Sequence, residues 1–244
     1  MNTYSIEKSI RLIANKFGFD IKRYRDQTSE SGRIACMLRK KCIDLVIDIG
    51  ANKGQYATML RRQGYKGQII SFEPMLNAWN DLFKASCNDD LWDVFPRCAI
   101  GEKNGTASIN VSANSVSSSI LDMLKSHSDA APESSYIGIE SITMQTLDSA
   151  IESLTLNKRI FIKIDTQGYE DKVLQGSAKS LLRAVGIQIE LSLTPLYADQ
   201  ILLPEMLDQL RAFGFDTWAI FPGFTDDSSG RMLQVDAVMF KNED

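Results

Sequence analysis

The segment Asp48-Ile49-Gly50-Ala51-Asn52-Lys53-Gly54 follows an apolar run, so a carboxylate enters a loop whose two glycines can bring backbone close to a ligand. In an open α/β sheet, ligands sit beyond the carboxyl ends of the strands, where strand order reverses. Gly50, Ala51 and Asn52 would offer backbone there, and Gly54 would let the next helix, starting with Gln55, begin tight against the sheet. Asp48 narrows the ligand. Its carboxylate would repel a pyrophosphate but can accept hydrogen bonds from an amino-acid ammonium, and the loop lacks the GxGxxG spacing of dinucleotide sites. Glu73 follows the run Gln68–Phe72 and lies 23 residues after Gly50. That is close to the about 20 expected of a carboxylate on ribose hydroxyls. Pro74 then ends the run sharply, and Cys98-Ala99-Ile100-Gly101 offers small side chains, Ala99 among them, that could flank an adenine. An ammonium, a ribose and an adenine together describe S-adenosylmethionine.

Methyl transfer from a sulfonium is an in-line displacement, so a protein must place the accepting atom opposite the sulfur and handle one proton. Asp165 closes the run Arg159–Ile164 and Glu190 closes Gly186–Ile189. Adjacent strands lie about 4.8 Å apart, so the two could converge on one acceptor hydroxyl, or on a divalent cation such as Mg²⁺ that would acidify it. Asp165 also stands close enough to the first loop to join the cofactor set. His127 is the only histidine, within a Ser/Asn/Ala-rich stretch, Ser112–Ser135, which reads as a mobile cover over the site. An imidazole there could take a proton. Lys163, two residues before Asp165, reads as a buried charge partner for a carboxylate beneath the loop, and Tyr169 and Tyr197 as structural aromatics.

These residues need a frame that holds strand ends together. Short β-branched runs alternate with helical periodicity, which predicts a doubly wound, Rossmann-like α/β domain over residues 43–244. The strands are expected at Ile43–Ile49, Gln68–Phe72, Asp93–Ala99, Arg159–Ile164, Gly186–Glu190, Phe215–Phe221 and Met232–Phe240, with Thr106–Val111 as an interruption. The last two have no helix between them, so a mostly parallel seven-stranded sheet should end in an antiparallel hairpin. Helices are expected at Gly54–Gln63, Leu76–Ser86, Leu147–Leu154, Glu170–Leu182 and Pro204–Phe213. Residues 1–42 form an N-terminal helical extension, in which Ile6, Ile10, Ile13 and Phe17 share one helix face. That face would pack on the domain or a partner, or lie weakly on a membrane surface with Lys8, Arg11 and Lys16 on its wet side.

The stretches DIGANKGQYA at Asp48–Ala57, GYKGQIISFEP at Gly64–Pro74, Ser117-Ser118-Ser119, KIDTQGYE at Lys163–Glu170 and the terminal QVDAVMF resemble the FkbM family of methyltransferases, from about Ile43 to the C-terminus. The resemblance implies a class I methyltransferase, usually an O-methyltransferase acting on hydroxyls of sugars, glycans or related natural products. Gln167 departs from the pattern, because many members carry Glu there. An amide keeps much of the hydrogen-bonding shape and loses the charge, so the position is expected to orient its neighbours.

Charge and composition narrow the partners. Residues 1–42 hold ten Lys/Arg against four Asp/Glu, and the rest 17 against 27. The acidic body, and IDTQGYE in place of an Asn/Asp-Pro-Pro-aromatic motif, argue against nucleic acid. The basic residues Lys22, Arg23, Arg25, Arg39, Lys40 and Lys41 could meet a phosphorylated carrier of the acceptor. No apolar run nears the length of a membrane span and no signal peptide opens the chain, which makes the cytoplasm the expected address. Cys36, Cys42, Cys87 and Cys98 lack metal-ligand spacing and read as reduced core thiols. A homo-oligomer, a cofactor-binding module without turnover and a nicotinamide-dependent oxidoreductase remain as alternatives.

Overall fold

A computed structural model of the chain describes residues 3–21, 29–152 and 157–242. Leu45-Val46-Ile47-Asp48-Ile49 is buried along its whole length, as expected of a strand covered on both faces. It forms β1 (Leu45–Ile49), preceded by helices α1 (Thr3–Lys16) and α2 (Glu30–Lys40). There follow α3 (Gln55–Arg62), β2 (Gln68–Phe72), α4 (Leu76–Ser86), β3 (Trp92–Val94), β4 (Ala99–Ile100), β5 (Gly105–Ser112), α5 (Lys125–Ala130), β6 (Tyr136–Gln145) and α6 (Leu147–Ala150). The chain continues through β7 (Ile160–Ile164), α7 (Glu170–Gln175), α8 (Ala178–Arg183), β8 (Ala184–Ser192), α9 (Leu203–Ala212), β9 (Phe215–Pro222), β10 (Thr225–Asp226), β11 (Arg231–Met232) and β12 (Gln234–Lys241).

Seven strands form the main sheet in the order β3-β2-β1-β7-β8-β12-β9. The first five run parallel, and β12 is antiparallel to both β8 and β9. The chain winds outward from β1 through β2 to β3, then returns to β7 beside β1 and winds the other way. Strand order therefore reverses between β1 and β7, and their carboxyl ends open the crevice.

Alternation along each strand divides two cores. Leu45, Ile47, Ile49, Ile162 and Ile164 face one layer, where Leu147, Val173, Leu181 and Leu210 come from α6 to α9. Val46, Phe161, Val238 and Phe240 face the other, covered by Ile34 and Leu38 of α2 and by Ala57 and Leu60 of α3. Thus α2, although it precedes residue 43, packs as part of the helical layer. Along and just after α1 no packing on the domain is observed: Ile6, Ile10, Ile13 and Phe17 are all exposed. Among the described residues, no helix is long and apolar enough to cross a membrane.

Several elements differ from expectation for identifiable reasons. Asp93–Ala99 contains Pro96, which cannot donate to a ladder, and it divides into β3 on the main sheet and β4 on a second sheet ordered β4-β6-β5. Glu170–Leu182 breaks at Gly176-Ser177, because a Cβ at Gly176 would stand 2.0 Å from the Gly101 carbonyl oxygen. The sixth helix ends at Ala150, and the rest of the expected stretch to Leu154 lies partly outside the described residues. Of the four cysteines only Cys98 is buried, while Cys42 and Cys87 are exposed.

Ser112–Ser135 is not structureless. Ser119 and Asn110 pair as an isolated bridge, α5 follows, and the segment lies along residues 195–198 through Leu124 N donating to Leu196 O (2.9 Å) and Ala198 N to Asp122 O (2.8 Å). The Ser/Asn composition acts as local capping. Ser117 N donates to Asn114 Oδ1, Ser112 N to Ser118 Oγ, and Leu121 N to Ser119 Oγ.

Candidate active site

A cleft of about 610 Å³ opens at the carboxyl ends of β1, β2, β7 and β8, roofed by residues from the Ser112–Ser135 segment. Its floor depends on Gly50. With φ +76° and an imagined Cβ 1.8 Å from the Asp165 carbonyl oxygen, this position admits only glycine, and the loop after β1 can thereby lie against the end of β7. Gly54, at φ +85°, does not line the cleft; its Cβ would strike the Trp92 ring at 2.7 Å, so its role is close helix packing.

Gly50, Ala51, Asn52, Gln55, Glu73, Pro74 and Ala99 all line the cleft. Glu73 fastens this half. One carboxylate oxygen accepts from Asn52 N and the other from Met75 N, each at 2.8 Å, which ties the β1 loop to the turn after β2. Burial pushes its carboxyl up to about 7, against the pull of those two donors.

Asp48 is a correction. It was expected to meet the ligand's ammonium, yet it is fully buried and does not line the cleft. Its strand position aims the side chain under α3, where it faces Ser71 on β2 and Lys163 on β7 in register. Lys163 Nζ lies 3.6 Å from Asp48 and 3.1 Å from Asp165 Oδ2, so the lysine is the buried charge partner expected from sequence. Burial opposes its charge, but Asp165 and Asp48 together hold its ammonium above the usual lysine range. The polar row continues across the sheet: Lys163 is in register with Gln188, whose amide donates to Asp236 Oδ1 (3.2 Å) and accepts from Tyr56 (2.8 Å).

Asp165 and Glu190 do converge, but on an amide. Gln167 Nε2 donates to Asp165 Oδ1 and to Glu190 Oε2, both at 2.9 Å, and Tyr197 donates to Gln167 Oε1 at 2.9 Å. The expected Mg²⁺ position between the two carboxylates is thus filled by N–H donors. Among the described residues no group of three or more His, Cys, Asp or Glu side chains could hold a metal ion.

The two carboxylates differ in their remaining contacts. Both Asp165 oxygens are engaged, one by Gln167 and one by Lys163. Glu190 Oε2 accepts from Gln167 and from Gln234 (2.7 Å), whereas Oε1 meets no donor among the described residues. Burial first, then the neighbouring Asp165, Glu170 and Asp236 charges, push the Glu190 carboxyl well above the ordinary range.

His127 lines the far wall, but not as a solvated loop residue. It is buried in α5, with its ring 5.2 Å from that of Tyr197 and 5.3 Å from that of Phe224, and its Nδ1 has no partner among the described residues. Burial lowers its pKa, more than Glu133 raises it, so the ring is neutral at pH 7. Tyr169 lines the cleft, and Tyr197 lies behind it. Arg39, Lys40 and Lys41 do not line the cleft, and Lys22, Arg23 and Arg25 lie outside the described residues.

Sequence reasoning missed Gln188, Gln234, Asp236 and Tyr56. The available signal was polar residues two apart inside otherwise apolar strands, Gln188/Glu190 and Gln234/Asp236, which alternation places on one face.

Residues 48–217 match the Methyltransferase FkbM domain, a stretch that contains the β1 loop, Glu73, the roof and the Asp165–Gln167–Glu190 cluster. The chain belongs to the FkbM methyltransferase family. It is also similar to the 2-O-methyltransferase NoeI of Sinorhizobium fredii, 26% identical over 186 residues that cover 72% of this chain and 74% of that one. Among solved structures, TehB from Haemophilus influenzae is 10% identical with a TM-score of 0.46. That match covers 88% of this chain and 63% of TehB, less than two thirds of its length. A TehB-like SAM-dependent methyltransferase from Corynebacterium glutamicum is 11% identical with a TM-score of 0.40, over 99% of this chain and all of that one.

Proposed function

We propose that this FkbM-family chain transfers a methyl group from S-adenosylmethionine to a hydroxyl of a sugar, a glycan or a related natural product, with Glu190 as the base. The observation that carries the reading is the asymmetry of Glu190: one oxygen is held by two amides, and the other has no donor among the described residues and belongs to a carboxyl that holds a proton readily.

The donor half fits the cofactor on two features of its own. The Gly50 turn forms a cradle that any side chain would fill, and Asn52 Oδ1 is buried without a partner among the described residues, an acceptor available to an ammonium or hydroxyl. Gly50, Ala51 and Asn52 would meet the amino-acid end, Glu73 the ribose and Ala99 with Pro74 the adenine. When bound, the cofactor supplies a methyl group on a cationic sulfur. Glu190 Oε1 accepts the proton of the attacking hydroxyl, Gln167 and Gln234 keep the other oxygen in place, and Asp165 stays tied to Lys163. The acceptor end, with Asn114, Ser117, Ser118, His127, Phe224 and Gln234, offers hydroxyls, amides and an aromatic ring, a surface suited to a neutral polyhydroxyl ring. The similarity to NoeI, a 2-O-methyltransferase, points the same way.

The test is a screen with methyl-labelled S-adenosylmethionine against free sugars, oligosaccharides, polyhydroxylated natural products, amines and nucleic acid. The expected result is label on a hydroxyl oxygen. Label on amines or bases alone, or no thermal shift with S-adenosylhomocysteine, would sink the reading.

A further inference from the structure

Two carboxylates at neighbouring strand ends, facing one cleft, repel unless a cation or a shared proton lies between them. Here an uncharged group fills that space. An amide has two N–H donors, and Gln167 spends one on Asp165 Oδ1 and one on Glu190 Oε2, each at 2.9 Å. Its orientation is fixed by those two acceptors, because a turned amide would set its oxygen against both carboxylates, while Tyr197, fully buried, donates to Gln167 Oε1 from the opposite end. The backbone is fixed as well: Gln167 has φ +55°, and its carbonyl accepts from Ser119 Oγ at 2.7 Å. Roof, strand ends and the Tyr197 loop thus all hold this one residue, the roof by its backbone and the others by its side-chain amide.

We propose that the Gln167 amide stands where a divalent cation would otherwise bridge Asp165 and Glu190, making it a positioning residue for a metal-independent transfer. Its catalytic consequence rests on the reading of Glu190 as the base. The exchange of amide for cation rests on the contacts alone. It follows that a carboxylate at this position creates a cation site. Lys163 would keep Asp165 Oδ2, leaving Asp165 Oδ1, Glu190 Oε2 and the new carboxylate as three hard oxygen ligands on one point.

The test is a Mn²⁺ titration of the wild-type chain, Q167E, E190Q and Q167E/E190Q, followed by electron paramagnetic resonance, with S-adenosylhomocysteine calorimetry on the same preparations. Q167E should bind one Mn²⁺ at least roughly 10- to 100-fold more tightly than wild type, the size of effect a single partner near a metal commands, and Q167E/E190Q should lose it. Methyl transfer by wild type should be unchanged in excess EDTA. Mn²⁺ bound by wild type and lost in E190Q overturns the proposal, whether or not Q167E folds. So does a Q167E chain that binds S-adenosylhomocysteine normally and takes up no Mn²⁺. A failed acceptor screen would remove the O-methylation reading and leave the Mn²⁺ result standing, so the two failures are distinct.

Discussion

Lys163 Nζ lies 3.1 Å from Asp165 Oδ2, and this ion pair separates the duties of two carboxylates one strand apart. Asp165 has a cation and no free oxygen; Glu190 has a free oxygen and only amides. Environments that treat two acids this differently assign the proton to one of them. With an acceptor in hand, E190Q should lose about 10²- to 10⁴-fold in kcat and keep its affinity for S-adenosylhomocysteine. Because the base works when deprotonated and the Glu190 carboxyl is pushed up, kcat/KM of the wild type should fall with acid from a pH above the usual carboxylate range. Steady-state pH profiles of both variants check this: a limb retained in E190Q and lost in D165N would reverse the assignment.

Removing the cation should cost stability more than it costs chemistry. Asp48 is fully buried, and Lys163 is the ammonium it faces at 3.6 Å. Breaking a buried pair by deleting one partner costs about 3–5 kcal/mol, because the remaining charge stays desolvated. Urea unfolding of K163M at pH 7 should show a loss of that order, and K163M/D48N should recover part of it. A K163M chain within about 1 kcal/mol of wild type would mean that Asp48 is protonated and needs no partner.

His127 offers a sharper distinction than its place in the chain suggested. It is neutral, lines the cleft between Tyr197 and Phe224, and carries a buried Nδ1 with no partner among the described residues. That geometry suits accepting a hydrogen bond from the acceptor. H127F preserves the ring packing and removes the nitrogen, so KM for the acceptor should rise about 3- to 10-fold with kcat nearly unchanged, the effect of one neutral hydrogen bond. A large fall in kcat, together with loss of the acidic limb, would make His127 the base instead.

The wall that the β1 loop gives the cleft was legible because it is local: Gly50, Asn52 and Glu73 lie at ends of strands whose runs are apolar and short, so their order along the chain is nearly their order in space. Asp48 shows the limit. Its residue type was informative, but which face of β1 it occupied depended on the register with Ser71 and Lys163, a pairing no short window contains. What stands between and behind Asp165 and Glu190 was hidden for the same reason. Gln167 meets Tyr197, 30 positions on, and Gln234 meets Glu190, 44 positions back. The roof lies over the cleft as composition suggested, but its serines and asparagines, which read as a loose loop, bond their own backbone.

Glu170 ties the turn after β7, and its titration should be visible in stability. One of its oxygens accepts from Thr166 N (2.8 Å), Thr166 Oγ1 (3.1 Å) and Gly168 N (3.2 Å), and burial, outweighing these donors, pushes the carboxyl up to about 7. A carboxyl that holds its proton more tightly when folded than when unfolded contributes stability below the unfolded value near 4.5 and loses it as pH rises through about 7. At about 1.4 kcal/mol per pH unit, the decline attributable to this group is at most of order 3 kcal/mol. E170Q retains an oxygen for the three donors and cannot ionise, so its unfolding free energy should fall less between pH 5 and pH 8 than that of wild type. Denaturant unfolding at a series of pH values measures the difference, and parallel curves for the two chains would show that Glu170 is already ionised in the folded protein at pH 5.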